Sequence, residues 1–309
     1  MKIIKSSMEG RTMTTKHELE LKEKNVRHLL IENEKVLRKE HYKGHPWSLV
    51  KLVLLGQWSY VYTAILKNWK GGIRYVDLLA GSGTTLVQET NDVIKGSPFV
   101  VKEFAFKPFD DYILVERDAE RYNALCQNAQ LIGNISKPLR GDCNRFVKDI
   151  FSNQQCHNLV FIDMEGFDVN WDSMSHIIGS QSDIIINFPT SSYERTKALE
   201  NQQVLDKFCG DHSWLDKAND REEFLNVYKN KLAQTFSTLR RKQAYVESIR
   251  VGNNSYFYDM ILLCKYGEYV NVWGDYMKSK WNWENPKEMT TLLNYLKGRT
   301  SRLDSFLQQ

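Results

Sequence analysis

The sequence predicts an α/β protein with a seven-stranded, mostly parallel sheet, a helical extension before it and a helical tail after it. From residue 73 onward, short apolar runs alternate with segments of helical periodicity, as in parallel sheets with crossover helices. The last two apolar runs are separated only by Gly252-Asn253-Asn254-Ser255, a turn that predicts a hairpin and therefore an antiparallel pair. The 309 residues are 42% hydrophobic and 26% charged, which is ordinary for a globular protein.

The elements follow from these runs. We expect strands at 73–78, 112–116, 137–140, 158–163, 183–187, 244–251 and 256–265. We expect helices at 119–131, 143–151, 171–179, 191–208 and 219–241.

The chain is expected to divide into three parts, which are a helical extension at 1–70, the sheet domain at 71–268 and a helical tail at 269–309. Residues 16–41 are charged and carry apolar residues at helical spacing, which predicts one or two amphipathic helices. Residues 48–69 predict a strongly apolar helix, which Gly71 and Gly72 end. The connections near 84–111 and 188–221 are longer than usual, and we expect these insertions near the carboxyl edge of the sheet, over a substrate.

The first strand ends in the most informative segment of the chain. Asp77 closes the apolar run, and Ala80 leads into the turn Gly81-Ser82-Gly83. Glycines let the backbone approach a ligand closely, and we expect a helix N-terminus to follow and add N–H donors. The same turn also occurs in plain strand–helix connections. The dinucleotide fingerprint G-x-G-x-x-G is absent, because no third glycine follows at that spacing.

The pattern D-x-x-A-G-x-G resembles the first motif of the class I S-adenosylmethionine-dependent methyltransferases. The resemblance implies a Rossmann-like methyltransferase fold, S-adenosylmethionine as cofactor and S-adenosylhomocysteine as product. It also implies that Asp77 reaches the cofactor's ammonium group through the loop or a water molecule, although Asp77 could simply cap the loop. Ala80, Gly81, Ser82 and Gly83 are the expected cofactor-binding loop.

Two further strand ends supply candidate cofactor ligands. Glu116 ends the second strand, and its two oxygens match a vicinal diol such as that of a ribose. Asp118 is expected to cap the following helix, although either carboxylate could have that role. After the third strand, Asp142 is placed to accept from an adenine amine, with Cys143 lending a backbone donor; Asp142 could instead be only an N-cap.

The candidate acceptor residues follow the fourth and fifth strands. Asp163 ends the fourth strand and counts among both the expected cofactor ligands and the expected catalytic residues. Glu165 lies two positions further on, so in an extended segment both carboxylates face one side and mutual repulsion could raise one pKa to supply a base. A solvated loop pair is the equal alternative. Asn187, which ends the fifth strand, is expected to line the pocket and is the third candidate catalytic residue.

Several classes of protein are disfavoured. The five cysteines show no C-x-x-C spacing, and the seven histidines show no metal-site spacing, so we expect no metal, no disulfide framework and a reducing cytoplasm. There is no phosphate loop of the NTPase type and no G-x-S-x-G elbow. No apolar run is long enough to cross a membrane.

The chain also resembles the three-Cys-motif partner proteins, a prokaryotic methyltransferase-like family. The residues that carry this resemblance are Lys51 in the helix before the sheet, 75–83, Gly96-Ser97-Pro98, 161–163, 186–189 and the terminal strand 258–265. The family usually has Asp-Pro-aromatic-Gly after the fourth strand, whereas this chain has Asp163-Met164-Glu165-Gly166. The resemblance implies a protein partner of the three-Cys type.

These observations together predict that the protein is a methyltransferase that acts on a nucleic acid. The nucleic-acid acceptor rests on the net charge of +4 and on the cluster Arg240-Arg241-Lys242. Two alternatives stay open, namely a non-catalytic partner or binding protein that keeps the cofactor pocket, and a protein that holds a nucleotide or nicotinamide cofactor in the same crevice. The oligomeric state is left open.

Overall fold

A computed structural model describes residues 16–31, 41–198, 202–252, 256–281 and 286–299. The second half of the predicted 16–41 helical region and the predicted turn at 252–255 lie largely outside the described residues. The helices are α1 (Lys16–Arg27), α2 (Trp47–Ile65), α3 (Ser97–Phe104), α4 (Ala119–Asn128), α5 (Cys143–Ile150), α6 (Trp171–Gly179), α7 (Tyr193–Ala198), α8 (Gln202–Cys209), α9 (Trp214–Lys217), α10 (Arg221–Arg240), α11 (Lys278–Trp281) and α12 (Pro286–Leu296). The strands are β1 (Tyr42–Gly44), β2 (Ile73–Asp77), β3 (Thr84–Val87), β4 (Asp92–Lys95), β5 (Asp111–Glu116), β6 (Ser136–Arg140), β7 (His157–Asp163), β8 (Ser182–Phe188), β9 (Ala244–Gly252) and β10 (Phe257–Lys265).

The main sheet has seven strands in the order β6-β5-β2-β7-β8-β10-β9. The first five of these are mutually parallel, whereas β10 runs antiparallel to both β8 and β9. Gly252 lies opposite Phe257 in the last pair, which confirms the predicted hairpin arrangement. The predicted α/β fold, with its mostly parallel seven-stranded sheet of the class I methyltransferase type, is confirmed.

The core lies on both faces of this sheet, because side chains alternate along each strand. In β7, Leu159 and Phe161 pack with α2 and α3, whereas Val160 and Ile162 pack with α5, α6 and α10. A strand that is covered on both faces reads as a continuous apolar run. Helix α2 is also covered on more than one side, so it is buried over most of its length and Trp58 is fully enclosed.

The expected helix directly after the glycine turn is wrong. Gly83 leads instead into β3, which pairs antiparallel with β4 and parallel with β1 in a separate three-stranded sheet. The hairpin turns at Asn91, whose φ of 55° is a left-handed conformation that asparagine tolerates. The helix that the turn was expected to open begins only at Ser97, as α3. The short Thr-Thr-Leu-Val run followed by an asparagine turn is the sequence signal for this hairpin.

The predicted helix at 191–208 is also divided. A short 3₁₀ turn at Thr190–Ser192 precedes α7, and α8 begins only at Gln202. None of the helices in the described part of the chain is both long enough and apolar enough to cross a membrane.

Candidate cofactor and acceptor site

A cleft opens at the carboxyl edge of the main sheet, where β2, β5 and β7 end. It contains about 1110 Å³ of space, its open mouth included. The predicted site residues that line it are Ala80, Gly81, Glu116, Asp142, Cys143, Asp163 and Glu165. Four others, Asp77, Ser82, Gly83 and Asn187, lie behind this surface. Parallel strands bring their carboxyl ends to one edge, so the cleft lies where ligands bind in open α/β sheets.

The glycine loop packs backbone against backbone on the start of α3. Gly81 and Gly83 have φ values of 59° and 78°, a left-handed conformation that favours glycine. The Gly96 amide donates to the Gly83 carbonyl at 2.9 Å, and a Cβ on Gly96 would lie 2.5 Å from that oxygen. Ser82 is fully buried, and its hydroxyl donates to the Thr84 carbonyl. Close packing therefore fixes the loop and brings the N-terminus of α3 to the cleft wall.

Asp77 lies beneath the glycine loop and stabilises its packing on α3. Its side chain is fully buried and accepts hydrogen bonds from the hydroxyl groups of Tyr75 and Ser97, at 2.8 and 2.5 Å, and from the Leu79 amide at 3.3 Å. Burial raises the pKa of the Asp77 carboxyl to about 7, although the two hydroxyl donors lower it. Asp77 is thus a positioning residue that connects β2, the loop and α3.

The raised pKa predicts a pH dependence of stability that Asp77→Asn removes in part. The folded protein holds a proton on Asp77 up to a pH of about 7, whereas the unfolded chain releases it near 3.8, so stability falls as the pH rises between these values. Between pH 5 and pH 8 we expect the free energy of unfolding of Asp77→Asn to gain about 3 kcal/mol relative to the wild type. Denaturant unfolding at both pH values checks this, with the exposed Asp149→Asn as control. An equal effect of Asp77→Asn at both pH values would contradict it.

Glu116 ends β5 with its side chain against the cleft, where the residue is only 7% exposed. Its Oε1 accepts a hydrogen bond from the Asp118 amide at 2.7 Å, which fixes the carboxylate. Asp118 caps α4 by accepting from the amides of Glu120 and Arg121, at 3.0 and 2.9 Å. The predicted cap at Asp118 is confirmed, and Glu116 is left with an oxygen for a ligand.

Asp142 and Cys143 line the cleft beside Glu116, because they follow β6, which pairs with β5. Asp142 caps α5, because its Oδ1 accepts from both the backbone amide and the side-chain amide of Asn144, each at 2.9 Å. Asn144 also accepts from the Asn170 amide and donates to the Asp168 carbonyl, both at 2.9 Å, so this side of the cleft is tied to the loop after β7. Burial raises the pKa of the Cys143 thiol to about 12, so this group is neither a nucleophile nor a charge in the cleft.

Asp163 lies between a lysine and an amide. The Lys51 ammonium is 2.6 Å from Asp163 Oδ2, and the Asn187 side chain donates to Oδ1 at 2.8 Å. Asp163 and Asn187 are direct neighbours in the register of β7 and β8. Lys51 is 6% exposed, and Asn187 Oδ1 is buried without a hydrogen-bond partner in the described structure. The Lys51 ammonium therefore compensates the charge of Asp163. The sequence analysis predicted instead that Glu165 would be its main charged neighbour and would repel it.

Lys51 is a cleft residue that is absent from the predicted site residues and appears above only in the three-Cys-motif resemblance. It lies 112 positions before Asp163 and lines the same cleft. A single lysine inside the apolar pattern of α2 is the signal that could have identified it, because a buried lysine requires a partner. Met164, the first residue of the departure from the Asp-Pro-aromatic-Gly pattern, is 2% exposed and belongs to the core.

The charge of the cleft is predominantly negative. Its lining contains the carboxylates Glu116, Asp118, Asp142, Asp163, Glu165 and Asp168, and the cations Lys51, Arg117 and Arg121. Such a cleft favours a ligand that carries positive charge.

Comparison with known proteins gives no family assignment, since no family model and no curated protein matches this chain. Among solved structures, the cofactor-bound protein Rv0187 from MTB is similar, with 10% identity, a TM-score of 0.40 and coverage of 84% of this chain and 93% of that one. A precorrin-6y C5,15-methyltransferase from Geobacter metallireducens GS-15 matches with 14% identity and a TM-score of 0.34, over 66% of this chain and 86% of that one. The fold assignment rests on the strand order of the chain itself, and the resemblance to the three-Cys-motif partner proteins stays a prediction.

Proposed function

We propose that this protein is a methyltransferase that uses S-adenosylmethionine. The observation that carries the proposal is Glu116, a buried carboxylate held at the end of β5 in an acidic cleft beside the glycine loop. The strand order places this carboxylate next to the central strand β2, at the crevice outside the strand ends where cofactors bind in open α/β sheets.

The residues present fit the proposed cofactor. Glu116 can accept from both hydroxyls of a ribose, and the backbone at Gly81 and the start of α3 offers N–H donors to a carboxylate. The negative cleft suits a ligand with a sulfonium and an ammonium group. When bound, the cofactor supplies an electrophilic methyl group.

Asp163 would orient the acceptor. Lys51 and Asn187 fix its carboxylate, which can accept a hydrogen bond from an acceptor N–H or O–H group. Glu165 also lines the cleft and makes no ion pair with the described residues, so we propose it as the group that takes up a proton. The nucleic-acid acceptor and the three-Cys partner protein are further parts of the proposal, which rest on charge and on the sequence resemblance.

The test is calorimetric titration of the purified protein with S-adenosylmethionine, S-adenosylhomocysteine and, for comparison, NADH. We expect micromolar binding of the first two and none of NADH. Tight binding of NADH alone would favour the nicotinamide alternative, and no binding by the folded protein would overturn the proposal in this form.

A second candidate is a non-catalytic binding protein with the same pocket. The buried Met164 and the contacts of Lys51 and Asn187 to the two Asp163 oxygens favour it. Transfer of a labelled methyl group to a cell extract, lost in Asp163→Ala while cofactor binding is retained, would decide for the enzyme.

A further inference from the structure

A second cleft lies at the opposite edge of the main sheet. We call it the basic cleft and define it by His157, Ser182, Asp183, Arg240, Lys242 and Lys265, which all line it. His157 and Ser182 begin β7 and β8, Lys265 ends the antiparallel β10, and Arg240 ends α10. The cleft lined by Glu116 and Asp163, here called the cofactor cleft, lies at the other end of β7. Because β7 has seven residues, the two clefts are about 20 Å apart.

Arg240 is held in place at this cleft by a backbone carbonyl and an aromatic ring. One of its terminal nitrogens donates to the Ser182 carbonyl at 2.9 Å, and its guanidinium lies 4.6 Å from the centre of the Phe236 ring. A guanidinium has five N–H donors, so most of them remain for a ligand. Within the described part of the chain, no carboxylate forms a salt bridge with Arg240, although the Asp183 carboxyl in the same cleft attracts its charge. The group is therefore preorganised, which lowers the entropy lost when it binds.

The charge of the basic cleft is opposite to that of the cofactor cleft. Lys242 and Lys265 are exposed and add two cations to Arg240. The one carboxyl group, that of Asp183, accepts from the Trp58 indole at 3.3 Å. Burial raises its pKa to about 7, although the Arg240 charge and the Trp58 hydrogen bond lower it. Burial lowers the pKa of His157, and the nearby charges of Arg240 and Lys242 lower it further.

We propose that the basic cleft binds a phosphate-bearing ligand, with the Arg240 guanidinium as its anchor and Lys242 and Lys265 at the rim. Planar guanidinium groups bind phosphate oxygens in pairs, and the two rim lysines add point charges. This site is separate from the proposed cofactor site and does not depend on it.

The experiment is a calorimetric titration with sulfate, against chloride at equal ionic strength. The titration is run at pH 6.5, because the Asp183 carboxyl, with its pKa of about 7, is then mostly protonated. Sulfate keeps its charge at this pH. We expect Arg240→Gln to weaken sulfate binding at least about tenfold, because charge-assisted hydrogen bonds are lost. The matched control is Arg241→Gln, which removes the neighbouring exposed charge outside the cleft and should change binding less than about twofold.

Further variants keep the proposal falsifiable. Should Arg240→Gln fail to fold, the double variant Lys242→Gln/Lys265→Gln changes only exposed side chains and should still weaken binding. Titration with AMP and with a single-stranded RNA oligonucleotide identifies the source of the phosphate. Steeply salt-dependent, tighter binding of the oligonucleotide indicates a nucleic acid, and similar binding of AMP and oligonucleotide indicates a small phosphorylated molecule. Absence of binding of all three probes, or equal losses in Arg240→Gln and Arg241→Gln, would overturn the proposal.

Discussion

Glu116→Ala is expected to weaken the binding of S-adenosylmethionine about 100-fold. The carboxylate is nearly buried, lines the cleft and is fixed by the Asp118 amide, so it can accept from two ribose hydroxyls without reorganisation. Each hydrogen bond to a charged group contributes about 1.5–3 kcal/mol, and a loss of about 3 kcal/mol corresponds to roughly two orders of magnitude in Kd. Calorimetric titration of both proteins measures the change.

The matched control is Glu120→Ala. Glu120 is an exposed carboxylate in the first turn of α4, so the change in net charge is the same but the cleft is untouched. We expect its affinity to stay within about twofold of the wild type. Thermal unfolding of both variants separates a loss of binding from a loss of folding. Unchanged affinity in a folded Glu116→Ala protein would show that the ribose role is wrong.

Asp163→Ala is expected to lower the free energy of unfolding by about 3 kcal/mol, at the lower end of the range for breaking a buried ion pair. The substitution leaves the Lys51 ammonium, whose side chain is 7% exposed, without its carboxylate, and it removes the acceptor of the Asn187 amide. The lower end applies because the Asp163 side chain is 22% exposed and water partly replaces it. Urea unfolding of the two proteins measures the difference.

The double variant Lys51→Met/Asp163→Ala should recover part of this loss, because no uncompensated charge then stays buried. The control is Glu165→Ala, which removes a carboxylate from the same cleft but breaks no ion pair in the described structure. We expect it to change stability by less than about 1 kcal/mol. Additive effects of Lys51→Met and Asp163→Ala would mean that the pair contributes nothing beyond its separate residues.

The strand ends of the site could be predicted because a local pattern encodes them. Asp77, Glu116 and Asp163 each follow an apolar run that is buried on both faces, and the parallel arrangement brings the ends of such runs to one edge. The role of each carboxylate could not be predicted in the same way. Asp77 is buried under the loop, whereas Glu116 faces the cleft, and only the packing around each strand end distinguishes them.

The hairpin of β3 and β4 shows where a local pattern misleads. A glycine turn after a strand is typical of a following helix, so the sequence favoured a helix immediately after Gly83. The chain instead inserts the hairpin, and the Gly96 amide then returns to the Gly83 carbonyl. The helix reaches the same place at the cleft after 13 further residues, 84–96. The short strands depend on pairing with β1, which is distant in sequence and which the local pattern does not reveal.

Periodicity and strand-end carboxylates in the sequence by itself determined the α/β class, the seven strands of the main sheet and the edge at which the acidic cleft opens. Only the tertiary structure decided that Lys51 neutralises Asp163 and that Arg240 lies in a basic cleft at the far edge. Both depend on contacts between segments far apart in the chain, such as the 112 positions between Lys51 and Asp163. The packing of helices on the sheet creates such contacts, and no periodicity within one segment encodes them.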